Sequence, residues 1–205
     1  MSQEQHQRAR VAAQDDLDGV AETLAGAFNQ DPVWGWAFRV SERGPEPLRA
    51  AWEFLADSAL DYGWVWCTEG YAAAAVWIPP GKRELKPEEE DRFESMVRQL
   101  MGEDASRLFA TWECFERSHD IELLQQPYYY LSLLATHPDH AGHGFGMGLL
   151  ADNLKRIDAE GIPVYLESTN RANDKRYERV GFRPCGEFEL PEDGPNVLQM
   201  WRDPA

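Results

Sequence analysis

A chain of 205 residues can bury one substantial core and reads as a single domain over 1–205. Its formal charge of −16 argues against nucleic acid or an anionic membrane as partner, and three scattered cysteines (Cys67, Cys114, Cys185) argue against a disulfide framework or metal knuckle. The first residues are polar and charged, without a signal peptide, and no apolar run has the length of a membrane span, so a soluble cytoplasmic protein is expected.

Strands, helices and loops alternate along the chain. Arg8 to Ala13 reads as a first strand. Asp15 or Asp16 is placed to cap a helix running to about Phe28, with Leu17, Val20, Ala21, Leu24 and Phe28 on one face. Asp31-Pro32 stops it. A second helix is predicted over Pro47 to Leu60, and Trp64 to Thr68 with Tyr71 to Ile78 reads as an antiparallel pair turning at Glu69-Gly70. Residues 82–91, mostly charged, read as an exposed loop entering two helices at about 88–101 and 104–118. A buried strand, Tyr128 to Leu134, is broken by Pro138. A helix to about Glu160 follows, then a strand at Pro163 to Glu167, a short helix after Asn173, and strands near 182–190 and 196–202. The pattern predicts an α/β (α+β) fold: a mixed, twisted sheet flanked by helices.

The segment after Leu134 says most about function. Glycines stand at every second position (Gly142, Gly144, Gly146, Gly148), followed by an apolar helical stripe of Leu149, Leu150, Leu154 and Ile157. A strand that passes through such a loop into a helix presents unpaired backbone N–H groups at a positive dipole end, a site for phosphate. Nucleoside triphosphate chemistry needs a loop lysine, and none occurs before Lys155. A dinucleotide loop needs a third glycine where Met147 or Leu149 stands. The third candidate is an acyl-coenzyme A loop, which the flanking sequence favours.

Here the chain resembles the GNAT superfamily of N-acetyltransferases, on the strand ending in ATHPDH, the loop AGHGFG and the stretch GIPVYLESTNRANDKRYERVGF. Within it, the likeness is to puromycin N-acetyltransferase-like small-molecule enzymes. The resemblance implies a GNAT-type, mostly antiparallel sheet and acetyl-coenzyme A as co-substrate. Gly144 and Gly146 match the small positions of the family's Q/R-x-x-G-x-G/A loop, while Ala141 replaces its Gln or Arg. Cofactor contacts are thereby expected at Ala141, Gly142, His143, Gly144, Phe145, Gly146 and Met147, and along the strand at Leu134, Ala135 and Thr136. Asn170 and Asn173 match further coenzyme A contacts, although Asn173 also suits a helix cap.

Tyr177 matches the family tyrosine near the cofactor sulfur and is expected to be the general acid; a buried core tyrosine would fit the same position. For the base, Glu167 ends the preceding strand, and His119, Glu113 and Glu116 lie on the helix before the signature strand; solvent is a further choice. Phe28, Trp34, Trp36 and Trp112 are expected to line the acceptor pocket, with Trp77 and Phe115 as other walls. His137, His140 and His143 lie along a loop with no second shell in prospect, so no metal is expected. The leading expectation is transfer of an acetyl group to a small-molecule amine, an antibiotic among the candidates, by direct attack in a ternary complex. A protein or peptide acetyltransferase and a non-catalytic coenzyme A sensor are the alternatives. A homodimer is common among similar enzymes.

Overall fold

The structure is a computed structural model and describes residues 8–205. Seven strands form one sheet in the order β1-β2-β3-β4-β5-β7-β6. They are β1 Ala9–Val11, β2 Val65–Thr68, β3 Ala73–Ile78, β4 Tyr129–Thr136, β5 Val164–Ser168, β6 Arg183–Glu189 and β7 Asn196–Arg202. Every neighbouring pair is antiparallel except β4 with β5. The longer helices are α1 Leu17–Phe28, α2 Glu46–Leu60, α3 Pro87–Met101, α4 Ala105–Ser118 and α5 Phe145–Glu160, followed by the short α6 Asp174–Glu178. This is the mostly antiparallel, helix-flanked sheet expected, and element bounds differ by only a few residues.

Strand alternation divides the apolar residues between two cores. On one face Ala74, Val76 and Ile78 of β3 pack with α1 to α4 through Leu24, Trp52, Val97 and Leu108. On the other, Ala73, Ala75 and Trp77 pack with Leu149, Leu150, Leu154 and Ile157 of α5, the stripe visible in the sequence. Trp77 is therefore a core residue; its indole N–H donates to Asn153 at 2.9 Å. It supplies no pocket wall.

One irregularity governs the centre of the sheet. Val76 faces Leu133 but Trp77 faces Leu131, so Ser132 is an extra residue in β4. This bulge reverses the side-chain phase: Tyr129 and Leu131 belong to the α5 face, Leu133 and Ala135 to the opposite one. It also turns Ser132 out of the ladder.

The start of α1 corrects one expectation. Neither Asp15 nor Asp16 makes a side-chain cap to α1; a 3-10 turn over Gln14–Asp16 precedes it. Buried Asp16 instead binds both Arg10 guanidinium nitrogens at 2.6 Å, Ala13 N–H at 2.8 Å and the Tyr71 hydroxyl at 2.8 Å. The Arg10 bond holds its carboxyl below the usual carboxylate range in spite of burial. Asp16→Ala should therefore cost about 2 kcal/mol and lower the melting temperature by roughly 4–8 °C. Because the folded pKa is depressed, the contribution is complete above an unfolded value near 3.9 and is lost only as pH falls through the lower folded value. Thermal melts of both proteins between pH 7 and pH 2 should converge only at the acid end.

Candidate active site

The strands β4 and β5 pair only at Tyr129 with Val164 and Tyr130 with Tyr165. Beyond that point β4 follows β3 to Thr136 while β5 follows β7 to Ser168. The parallel pair splays into a wedge that leaves main-chain groups without sheet partners across the gap. Two cavities lie along it and a third adjoins them.

The first, of about 500 Å³, opens at the glycine loop. Leu134, Ala135 and Thr136 form its strand wall, and Ala141, Gly142, Gly146 and Met147 its loop wall. Gly142 and Gly144 have φ of +80° and +81°, and a Cβ on either would meet nothing within 4 Å. They are needed for backbone conformation rather than for packing. At Gly146 the reason is contact: its N–H donates to Thr136 Oγ1 at 3.1 Å, and a Cβ would lie 2.4 Å from that oxygen. Gly148 N–H makes an intrahelical bond to Gly144; the amides of the turn before it lack intrahelical acceptors, and of these residues Gly146 and Met147 line the cavity, Gly146 with its N–H on Thr136. Wide left-handed glycines, a helix N-terminus and the basic Arg176 in one wall fit a diphosphate-bearing cofactor.

The other loop residues divide. The Phe145 side chain is buried against α5 neighbours and can offer only its main chain. His143 is exposed, stacks on Phe145 with ring centroids 6.0 Å apart, and turns Nδ1 to the Ala141 carbonyl at 3.1 Å. Neither lines the cavity. Asn170 and Asn173 both do. Asn170 accepts the Ala172 N–H at 3.0 Å and so caps its own turn. Asn173 makes no cap with its side chain; it accepts Arg176 Nη1 at 2.9 Å and aligns that guanidinium. Arg176 was not foreseen, because only the fold brings α6 opposite the loop. Among the described residues no group of three or more His, Cys, Asp or Glu side chains is arranged to hold a metal ion.

The second cavity is a constriction of about 50 Å³. It shares Phe28, Asp31, Leu134, Asn173 and Tyr177 with the first. Tyr177 is half-buried there, and burial followed by the charge of Asp31 pushes its phenol up to about 12. Asp31, seen in the sequence only as a helix stop, accepts Val33 and Trp34 N–H at 3.0 Å each and Thr169 Oγ1 at 2.8 Å. It thereby ties the turn after α1 to the end of β5 and sets the width of the gap. Burial raises its carboxyl pKa against those three bonds.

The third cavity, about 850 Å³, shares Phe115 and Tyr130 with the constriction and is walled by Trp112, Tyr128 and the loop 79–85. His119 and Glu116 face it. Glu167 stands behind, in the constriction wall, with only 2% of its side chain exposed. It accepts Ser118 Oγ at 2.8 Å and meets His119 Nε2 at 3.1 Å, while His119 Nδ1 meets the Tyr128 hydroxyl at 2.8 Å. Burial opposes charge on His119, but the bond to Glu167 and its negative field outweigh it and leave the imidazole pKa raised. Glu113, a further candidate base, is exposed and pairs with Arg117 at 3.6 Å, away from the cavities.

The tryptophans separate in the same way. Trp34, 6% exposed, packs edge-on against Trp52 at 5.0 Å and presents one edge to the constriction beside Phe28. Trp112 and Phe115 reach the third cavity. Trp36 lines none of these spaces: its ring lies 4.9 Å beneath the Arg107 guanidinium and crowds Gly194. Two positions along a helical turn send its side chain elsewhere than that of Trp34.

Comparison with known proteins agrees with this architecture. A family model described as acetyltransferase (GNAT) domain matches residues 83–202. An uncharacterized N-acetyltransferase of Schizosaccharomyces pombe is 25% identical over 201 residues, covering 92% of this chain and 78% of that protein. A Corynebacterium glutamicum structure described as histone acetyltransferase HPA2 and related acetyltransferase superposes with a TM-score of 0.69 at 24% identity, covering 96% of each chain. Polyamine N-acetyltransferase of Drosophila melanogaster, an enzyme that forms N-acetylagmatine, gives 0.67 at 17% identity over 96% of this chain and 99% of its own. With more than half of its length matched by the family model and with this fold, the chain belongs to the GNAT acetyltransferase family and is an acyltransferase.

Proposed function

We propose that this enzyme transfers an acetyl group from acetyl-coenzyme A to the amine of a small molecule. The observation that carries this reading is the line of three cavities at the β4–β5 wedge, with the glycine loop at one end and Tyr177 at the constriction. The donor supplies an activated thioester. Amides of the loop before Gly148 and the Arg176 guanidinium hold the diphosphate arm, and β4 main-chain groups freed by the splay at Leu134 to Thr136 align the pantetheine. The aromatic cavity takes the acceptor. Its volume of about 850 Å³ matches small-molecule pockets, roughly 300–1,000 Å³, which favours a small amine over a peptide that needs an open groove.

The amine attacks as the free base, so one proton must leave it and one must be provided for the sulfur. Glu167 with His119 takes the first, directly or through water, and its hydrogen bond to Ser118 keeps the carboxylate oriented. Tyr177 serves the second. With its phenol at about 12 it stays protonated, and full transfer to a thiol of ordinary pKa near 8.5 would be uphill by roughly 5 kcal/mol. Its task is therefore to donate a strong hydrogen bond to the departing thiolate while the proton arrives from the acylated amine.

Calorimetry with coenzyme A and its acetyl form, followed by thiol release with a panel of small amines and lysine peptides, tests the reading. Micromolar cofactor binding with turnover of small amines supports it; no heat at millimolar cofactor overturns it. Gly146→Ala adds a narrower expectation. Thr136 Oγ1 must yield to the new Cβ and lose the Gly146 N–H, so coenzyme A affinity should fall about 10-fold. Adding Thr136→Ala should restore part of it, as calorimetry of the double variant would show.

A further inference from the structure

The aromatic cavity holds a carboxylate that, among the described residues, forms no salt bridge. Glu84 sits in the loop between β3 and α3, half-buried at the cavity wall although Lys82 and Arg83 before it are exposed. Ser132 Oγ, turned out of the sheet by the β4 bulge, donates to Glu84 Oε1, and the Trp112 indole stands beside the same carboxylate and favours its charged form. Both groups are neutral. The nearby cations are engaged elsewhere: Arg83 with Glu90 at 3.1 Å, Lys86 with Asp61 at 2.8 Å, and Lys82 over the Tyr62 ring at 5.7 Å. His119 is bonded to Glu167 at 3.1 Å and reaches Glu84 only through its field. Burial and the field of Glu167 accordingly raise the Glu84 carboxyl pKa.

A carboxylate held by the Ser132 hydroxyl, with acceptor sites remaining and aromatic walls around it, is arranged to receive a cation. Glu84 lines the large cavity and not the constriction, so the group it receives is not the amine presented to the thioester. We propose that Glu84 anchors a second positive charge on the acceptor, making the enzyme selective for amines that carry a further cationic group beyond an apolar or flat spacer. Trp112, Tyr128 and Tyr130 flank the spacer, and the free end enters the constriction past Tyr130 toward Glu167 and Tyr177. This rests on the acceptor occupying the aromatic cavity, as proposed above.

The test compares 1,5-diaminopentane with pentylamine in the wild type and in Glu84→Gln, a change that keeps an acceptor for Ser132. With saturating acetyl-coenzyme A, the wild type should prefer the diamine. Glu84→Gln should lower the diamine kcat/KM about 30-fold more than that of pentylamine, chiefly through KM. An unchanged preference, or an equal loss for both amines, overturns the anchor. If the wild type acetylates neither amine, calorimetry with the coenzyme A-bound protein separates the two ideas. Diamine binding that Glu84→Gln weakens, beyond its effect on pentylamine, upholds the anchor while the transfer reading fails. Absence of diamine binding to the wild type overturns the anchor itself.

Discussion

Replacing Tyr177 by Phe should lower kcat about 10²-fold while leaving coenzyme A affinity within about twofold. A hydrogen bond to a departing thiolate forms fully only as negative charge develops, so its loss falls on the transition state rather than on the ground state. A charge-assisted bond of about 3 kcal/mol corresponds to that factor. Burial and the field of Asp31 hold the phenol at about 12, so the hydroxyl keeps its proton across the whole range in which the fold can be assayed. The wild type should consequently show no alkaline loss of kcat attributable to this group below about pH 11. Single-turnover rates and calorimetry on both proteins check the assignment. Equal turnover would remove it.

Glu167→Gln should have an effect of similar size with a different signature. The carboxylate is nearly sealed from solvent, takes Ser118 and His119 as donors, and lies in the constriction wall. Losing it should reduce kcat by roughly 10²-fold and should also move the acid limb of the pH profile. In the wild type, burial opposes the His119 imidazolium and Glu167 more than restores it, so the imidazole titrates above its ordinary value near 6.5. Activity that needs the neutral ring falls as pH drops through that raised value. Without Glu167 only the weaker fields of Glu84 and Asp120 oppose burial, and the limb should shift to lower pH. The same pair stabilises the fold fully below the unfolded His119 pKa, a contribution that fades as pH rises through the folded one. His119→Gln should abolish that fading in thermal melts. A profile for Glu167→Gln that merely scales down would count against the pair.

How far the site could be read beforehand depended on sequence distance. The strand, loop and helix from Tyr129 to Glu160 are contiguous, so glycine spacing and the stripe ending in Ile157 made the cofactor end legible. Tyr177, Asn170 and Asn173 came from a compact motif and were brought together at the first two cavities. The tryptophans did not sort themselves. Trp34, Trp36 and Trp77 share one chemistry, yet only Trp34 meets a cavity, because helical phase and sheet face decide where an indole goes. Glu84 lay hidden in a charged run that composition marks as solvated.

Local order in the chain by itself therefore determined the main elements, a sheet flanked by helices and the phosphate-type loop, since each depends on patterns over neighbouring residues. Tertiary structure alone decided which acids face the acceptor. The bulge at Ser132, the splay of β5 from β4 and the approach of Glu84 to Trp112 join segments about 30 to 60 residues apart, and no local pattern encodes a meeting set by the packing of whole layers.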